Sequence, residues 1–281
     1  MKSPQILRKR AVRLTVGGVA LAVAAAIVPA TTAFAAKGGA PVASHQQAAK
    51  PTVVLVPGAW ADGSSWDGVV ADLQHDGYTV DVPPNPLSGV ADDSAYLASY
   101  LATVTGPIVL VGQSYGGFLI SNAATGNTNV KALVYVDAFI PAQGETLNQL
   151  TAQFPGSQIA QAALNFVPEP GGVTDVYVKP ADFRGLLAND ESPAQAAVLA
   201  ATQRPLAASA LAEPSGTPAW LTIPSWDVIG TEDHAIPVAA QEFMAHRAGS
   251  TVTKINAAHF SMVSHPTQVT NVIEDAARHT S

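Results

Sequence analysis

From residue 52 onward, short apolar runs alternate with longer stretches whose apolar residues fall at helical spacing. TVVLVPG (52–58) is apolar, rich in β-branched Val and closed by Gly, which predicts a buried strand. SSWDGVVADLQHDG (64–77) sets Trp66, Val69, Val70 and Leu73 on one face and ends in Gly, which predicts a helix. YTVDVPP (78–84) predicts a second strand, and DDSAYLASYLATV (92–104) a helix with Asp92 and Asp93 at the positive end of its dipole. IVLVG (108–112) and VKALVYVDAF (130–139) read as a third and fourth strand, with a helix opening at YGGFLISNAA (115–124) between them. Strands that are apolar throughout leave neither face to water. Joined by single helices, they predict an α/β fold with a mostly parallel sheet and helices on both faces.

The pattern changes over 141–221, where Ala and Gln rise and Pro recurs. GETLNQLTAQF (144–154), SPAQAAVLAATQ (192–203) and RPLAASALAE (204–213) read as short helices, and VTDVYVKP (173–180) as an extended piece. An insertion of this length inside an α/β unit predicts a helical cap over the strand ends. IPSWDVIGTEDH (223–234) then restores a strand ending in an acidic loop. VAAQEFMAHRAG (238–249) follows as a helix, TVTKINAA (251–258) as a strand and HPTQVTNVIEDAARH (265–279) as the last helix.

The N-terminus belongs to another pattern. Lys2, Arg8, Lys9, Arg10 and Arg13 precede an apolar stretch over 14–28, and Ala33-Phe34-Ala35 forms an A-x-A site. Together these predict a secretory signal over 1–35, cleaved after Ala35. The apolar run is shorter than the roughly 20 residues of a membrane span, so no stable anchor is expected after cleavage. The absence of an Arg-Arg pair favours the general secretory route. Residues 36–50, small and polar, read as a flexible leader to a folded domain over 51–281.

Charge then removes one class of partner. Loss of five basic and no acidic residues with the signal takes the formal net charge from −7 to −12. No basic stripe remains to neutralise phosphates, so nucleic acid is not an expected partner. The chain has no Cys, which excludes thiol catalysis, disulfides and Cys-based metal sites. Its histidines form no H-x-x-x-H pair, and no G-x-G-x-x-G follows a strand, so neither a metal nor a dinucleotide cofactor is expected. The pattern carries no sign of oligomeric state.

The candidate chemistry lies in Gly112-Gln113-Ser114-Tyr115-Gly116, directly after a buried strand and opening a helix. A serine presented on so tight a turn needs Gly two positions before and after it, because side chains there would collide. Tyr115 N–H then stands at a helix N-terminus, where it can stabilise an oxyanion. A serine hydroxyl needs a base. Of seven histidines, His45 falls in the leader, while His75, His246 and His279 read as exposed helix residues. His234 follows an acid and His265 opens the last helix, whereas His259 follows a strand, at the C-terminal strand ends where sites of open parallel sheets gather. His259 is therefore the candidate base. For the acid that orients it, Asp233 in the loop after IPSWDVIG is favoured, with Glu232 beside it and Asp137, after the fourth strand, as the rival. The loop after the first strand, Pro57-Gly58-Ala59-Trp60, offers Ala59 N–H as the second oxyanion donor. Trp60, Phe139, Phe154, Phe166 and Trp220 are candidates for an apolar pocket and equally for core.

LVPGAWADGSSW, VGQSYGG, GTEDHAIP and AAHFSMVSHP resemble segments of the α/β-hydrolases, in particular the bacterial esterase-like group near the plant salicylate-ester esterases and hydroxynitrile lyases. The resemblance spans nearly all of 52–281 and implies the α/β-hydrolase fold, with the chain order Ser114, Asp233, His259. Two positions depart from the group: Pro57 replaces the usual His of a His-Gly pair, and Gln113 stands where His is common. The lyases carry Thr in place of Gly58 and Lys in place of Phe260, and this chain has neither. The resemblance therefore implies a secreted serine esterase acting on a small, mostly apolar ester through an acyl-enzyme on Ser114. A same-fold lyase, cofactor-free haloperoxidase or acyl transferase, and a non-catalytic ligand-binding protein, are the alternatives.

Overall fold

The computed structural model describes residues 50–279; the expected signal (1–35) and all of the leader up to residue 49 lie outside them. In chain order the elements begin with β1 (Thr52–Val56), α1 (Asp67–His75), β2 (Thr79–Asp81) and α2 (Val90–Leu101). β3 (Ile108–Gln113), α3 (Gly116–Ala123) and β4 (Val130–Val136) complete the first half. Next come α4 (Leu147–Gln153), β5 (Leu164–Pro168), β6 (Thr174–Val178), α5 (Pro180–Leu187), α6 (Pro193–Thr202) and β7 (Leu206–Ala207). The chain closes with β8 (Ser225–Gly230), α7 (Val238–Ala248), β9 (Thr251–Ile255), α8 (Ser261–Ser264) and α9 (Pro266–Arg278).

Six strands form one parallel sheet in the order β2-β1-β3-β4-β8-β9. Every residue of β3 and of β8 is buried, and apart from Gln113, Ser225 and Asp227 they are apolar, as suits strands covered on both faces. Each buried Val, Leu or Ile there contributes about 1.5–3 kcal/mol of transfer free energy. α1 packs on α9, and α2 packs on α3. α9 shows why a helix forms where it does. Pro266 stands at its first position, and Val269, Val272, Ile273 and Ala276 make one buried stripe at three- and four-residue spacing. Among the described residues no helix is long and apolar enough to cross a membrane.

Register aligns the strand ends that matter. Gln113, the last residue of β3, lies opposite Val136, the last of β4, and Val136 lies opposite Val228 of β8. The turns after these three strands therefore open side by side.

The insertion between β4 and β8 is not purely helical, contrary to the sequence expectation. β5, β6 and β7 form a separate antiparallel sheet in that order. Gly171 and Gly172, at φ 100° and 90°, make the β5–β6 turn, a conformation that suits glycine between two extended runs. β6 alternates as a half-buried strand should, with Val176 and Val178 inside. LNFVP (164–168) escaped recognition because it is short, closes on Pro168 and has no sustained alternation. RPLAASALAE is likewise no α-helix: Leu206–Ala207 pairs with β6, and Ala208–Ala212 is a 3-10 turn. α5, over PADFRGLL, was not anticipated.

Candidate active site

Ser114 stands on the turn between β3 and α3 with φ 52°, a left-handed conformation that a non-glycine residue holds only when its surroundings enforce it. The enforcing contacts are backbone. Ser114 N–H donates to Val136 O at 3.2 Å, and Phe139 and Gly117 N–H donate back to Ser114 O. Flanking glycines make the turn possible. A Cβ on Gly112 would meet Gly116 O at 2.6 Å, and one on Gly116 would meet Val56 O at 2.7 Å.

Three strand ends bring Ser114, His259 and Asp233 into one line. His259 Nε2 lies 2.9 Å from Ser114 Oγ, and His259 Nδ1 lies 2.8 Å from Asp233 Oδ2. His259 is 1% exposed. Asp233 is itself held in place: Oδ1 accepts from Ala235 and Ile236 N–H at 2.7 and 2.9 Å, and Oδ2 also accepts from Gln241 Nε2 at 2.8 Å. Gln113 Nε2 donates to His259 O at 3.1 Å, which gives the residue before the serine a grip on the histidine loop.

Burial works against a charged imidazolium, but the Asp233 carboxylate beside it, and Asp137 further off, outweigh that and raise the His259 pKa. Glu232 is exposed, and it is its backbone that joins the local hydrogen bonding. Asp137 is fully buried but points at Gly230 and Ser261 rather than at the imidazole. Burial and then the Asp233 charge push its carboxyl up to about 8.

A cavity of about 260 Å3 opens over Ser114 and His259. Ala59, Trp60, Tyr115, Phe139 and Phe166 line it, together with aliphatic residues such as Leu147, Leu206 and Ile236. No charged side chain lines it, and its polar groups away from the serine are Asn148, Thr151 and Gln161. Two sequence candidates lie elsewhere. Trp220 donates its indole N–H to Pro141 O at 2.8 Å and stacks beside Arg247, and Phe154 packs on Phe243. Trp60 has φ 59° and is fixed twice by the cap: its backbone N–H donates to Arg204 O and its indole N–H to Val176 O. Neither Ala59 N–H nor Tyr115 N–H donates to a backbone acceptor among the described residues, so both remain for a ligand oxygen at the serine. Also among the described residues, no group of three or more His, Asp or Glu is placed to hold a metal ion.

The model of the alpha/beta hydrolase family matches residues 53–272. The chain belongs to the alpha/beta hydrolase family. The hydrolase is 28% identical over 252 residues to the alpha/beta hydrolase nvfD of Aspergillus novofumigatus, covering 81% of this chain and 97% of that one. It is 32% identical over 110 residues to a carbendazim hydrolyzing esterase of Nocardioides, 34% of this chain and 46% of the relative. A pyrethroid hydrolase from Sphingobium faniae superposes with a TM-score of 0.66 at 22% identity, over 81% of this chain and 97% of the other, and so shares the fold.

The hydrolase also clamps its own histidine, with a segment for which the sequence expectations above have no element. α5 and the turn after it hold both loops that meet at His259. Phe260 N–H donates to Leu187 O, Ala258 N–H to Asp190 Oδ2 at 2.9 Å, and Asn189 Nδ2 to Glu232 O. Phe183 of α5 meets Phe260 edge to face at 5.9 Å. A signal was present: Pro180 begins the segment and Phe183, Leu186 and Leu187 follow at helical spacing.

Proposed function

We propose that this hydrolase is a serine esterase that cleaves small, uncharged, mostly apolar carboxylic esters. The observation that carries the reading is the unbroken line from Asp233 through His259 to Ser114 Oγ at the floor of a cavity with no charged lining. His259 accepts the Ser114 proton through Nε2 as Oγ attacks the ester carbonyl, and Asp233 holds the imidazole tautomer and balances its charge. The carbonyl oxygen becomes an oxyanion between Ala59 N–H and Tyr115 N–H, each such donor being worth about 3–4 kcal/mol in the transition state. His259 then protonates the departing alkoxide. Water enters, loses a proton to the same Nε2, and releases the acid from Ser114. The esterase name of the Nocardioides relative supports this bond type. So does Phe260, whose ring packs on Phe183 of α5: an apolar side chain stands where the lyases of the group carry Lys. In this reading residues 1–35 direct secretion and are removed after Ala35.

The test is a series of p-nitrophenyl esters, from acetate to decanoate, with the purified protein and Ser114→Ala. Hydrolysis that Ser114→Ala abolishes is expected. Turnover that survives the substitution, or none on any ester, contradicts the reading. Edman sequencing of protein recovered from the producing cells' exterior should begin at Ala36.

A further inference from the structure

Among the buried carboxyls that the reaction as proposed leaves unused, Asp137 has contacts that join all three parts of the site. Asp137 follows β4, is 0% exposed and holds φ 46°, left-handed for a residue with a side chain. Its own N–H donates to Val228 O of β8, while the preceding carbonyl, Val136 O, accepts from Ser114 N–H. Oδ1 accepts from Gly230 N–H at 2.7 Å, three residues before Asp233. Oδ2 accepts from Ser261 N–H at 3.3 Å and from Ser261 Oγ, two residues after His259. Gly230 fits this approach closely, since a Cβ there would lie 2.9 Å from Asp137 Oδ1. One side chain thus ties the start of the acid loop to the end of the histidine loop, and its own turn brackets the serine.

We propose that Asp137 is a positioning residue that fixes His259 relative to Ser114 and Asp233 through its bonds to Gly230 and Ser261. The strained backbone fits this role, because such conformations persist where the surroundings hold a site in a set geometry. His259 itself lies in the loop between β9 and α8, so bonds of this kind, not an element of its own, hold its backbone. Releasing Ser261 frees the chain two residues away, and a displacement of about 1 Å between reacting groups costs on the order of 10²-fold in rate.

This inference rests on the esterase reading, and two variants test it beside Ser114→Ala. Asp137→Asn keeps an oxygen for Gly230 N–H but turns an amide donor toward Ser261 N–H. Ser261→Ala leaves the carboxylate and removes the hydroxyl bond. The active fraction of each is titrated with a small phosphonate, so that rates are per working site and partial misfolding drops out. Expected per site are a roughly 10²-fold lower kcat for Asp137→Asn and a smaller loss for Ser261→Ala, with KM nearly unchanged and phosphonate labelling slowed in parallel. A folded Asp137→Asn protein with wild-type kcat, or a loss confined to KM, overturns the inference. If Asp137→Asn does not fold, Ser261→Ala decides: a lowered kcat supports the role and a wild-type kcat overturns it. An active Asp233→Asn protein that dies when Asp137→Asn is added would also overturn it, since Asp137 would then be the acid itself. Full activity of Ser114→Ala sinks the esterase reading. An inactive Ser114→Ala beside a wild-type Asp137→Asn sinks only this inference.

Discussion

Asp233→Asn is the substitution whose effect the site geometry fixes most tightly. Oδ1 of Asp233 faces two N–H donors, Ala235 and Ile236. An asparagine must therefore put its oxygen there and its NH2 where Oδ2 stood. That NH2 then faces His259 Nδ1, which has to accept a hydrogen bond instead of donating one. The imidazole proton moves to Nε2, the atom 2.9 Å from Ser114 Oγ, and the base is lost. The protein itself should survive the change. Gln241, which now donates to Oδ2, has an unpartnered buried Oε1 and can turn it to the new NH2, giving up its bond to Ile236 O. A wrong tautomer in a Ser-His-Asp site costs about 10⁴ in kcat, or roughly 5 kcal/mol of transition-state stabilisation at 1.36 kcal/mol per tenfold. The assay is steady-state hydrolysis of a p-nitrophenyl ester, with thermal melting alongside. A folded Asp233→Asn protein keeping more than about a tenth of wild-type kcat would refute this tautomer argument.

Three further predictions follow from the same contacts. As the proposed base, His259 must be neutral, and its pKa is raised, against burial, chiefly by Asp233; kcat/KM should therefore fall on acidification through a pKa above the usual ~6.5 of histidine, and an acid limb centred below that value in a pH profile would contradict the assignment. Trp60→Phe removes the indole bond to Val176 O at 2.8 Å and should cost about 1 kcal/mol in stability while improving turnover of longer acyl chains; an unchanged melting temperature with an unchanged chain-length profile would count against Trp60 as a fixed pocket wall. Asp227 lies fully buried in β8, its two oxygens without a hydrogen-bond partner among the described residues, and burial holds its pKa well above the ordinary carboxylate value. The unfolded chain ionises first as pH rises, so this group's contribution to stability is greatest below about pH 4 and declines above it. Asp227→Asn should therefore raise Tm at pH 8, by roughly 2–4 °C for each kcal/mol recovered, with the gain vanishing near pH 4; a Tm lowered at both pH values would show that the carboxyl is partnered.

How much was legible beforehand depended on whether sequence-local or long-range physics set each feature. The turn at Ser114 could be read because its two glycines flank the serine within five residues of chain, and the collision at Gly112 is with Gly116 O of the same turn. The sheet could be read because a strand such as β3, buried on both faces, carries a continuous apolar run over 108–112. His259 was legible from its place after a strand. Asp233 was favoured over Asp137 from the sequence, but both acids follow neighbouring strands, and what separates them physically is that Asp137 turns to Gly230 and Ser261. The cap was least legible. β5 and β7 are short: β7 joins β6 from about 30 residues away, and β5, although it pairs across a nearby turn, shows no local alternation. Trp220 misled for a related reason, as its ring packs beside Arg247 and its N–H serves Pro141 O, partners that sequence spacing does not reveal.

The central claim is that Ser114 becomes covalently acylated during turnover. Rapid mixing of the protein with p-nitrophenyl butyrate, acid quenching within the first turnover and peptide mass spectrometry test it directly. The account predicts a burst of p-nitrophenol stoichiometric with active sites and a butyryl mass increment on the peptide containing Ser114, absent from Ser114→Ala. Steady ester hydrolysis by the wild type with no acyl group on Ser114 at any quench time, under conditions where the burst is complete, would contradict it.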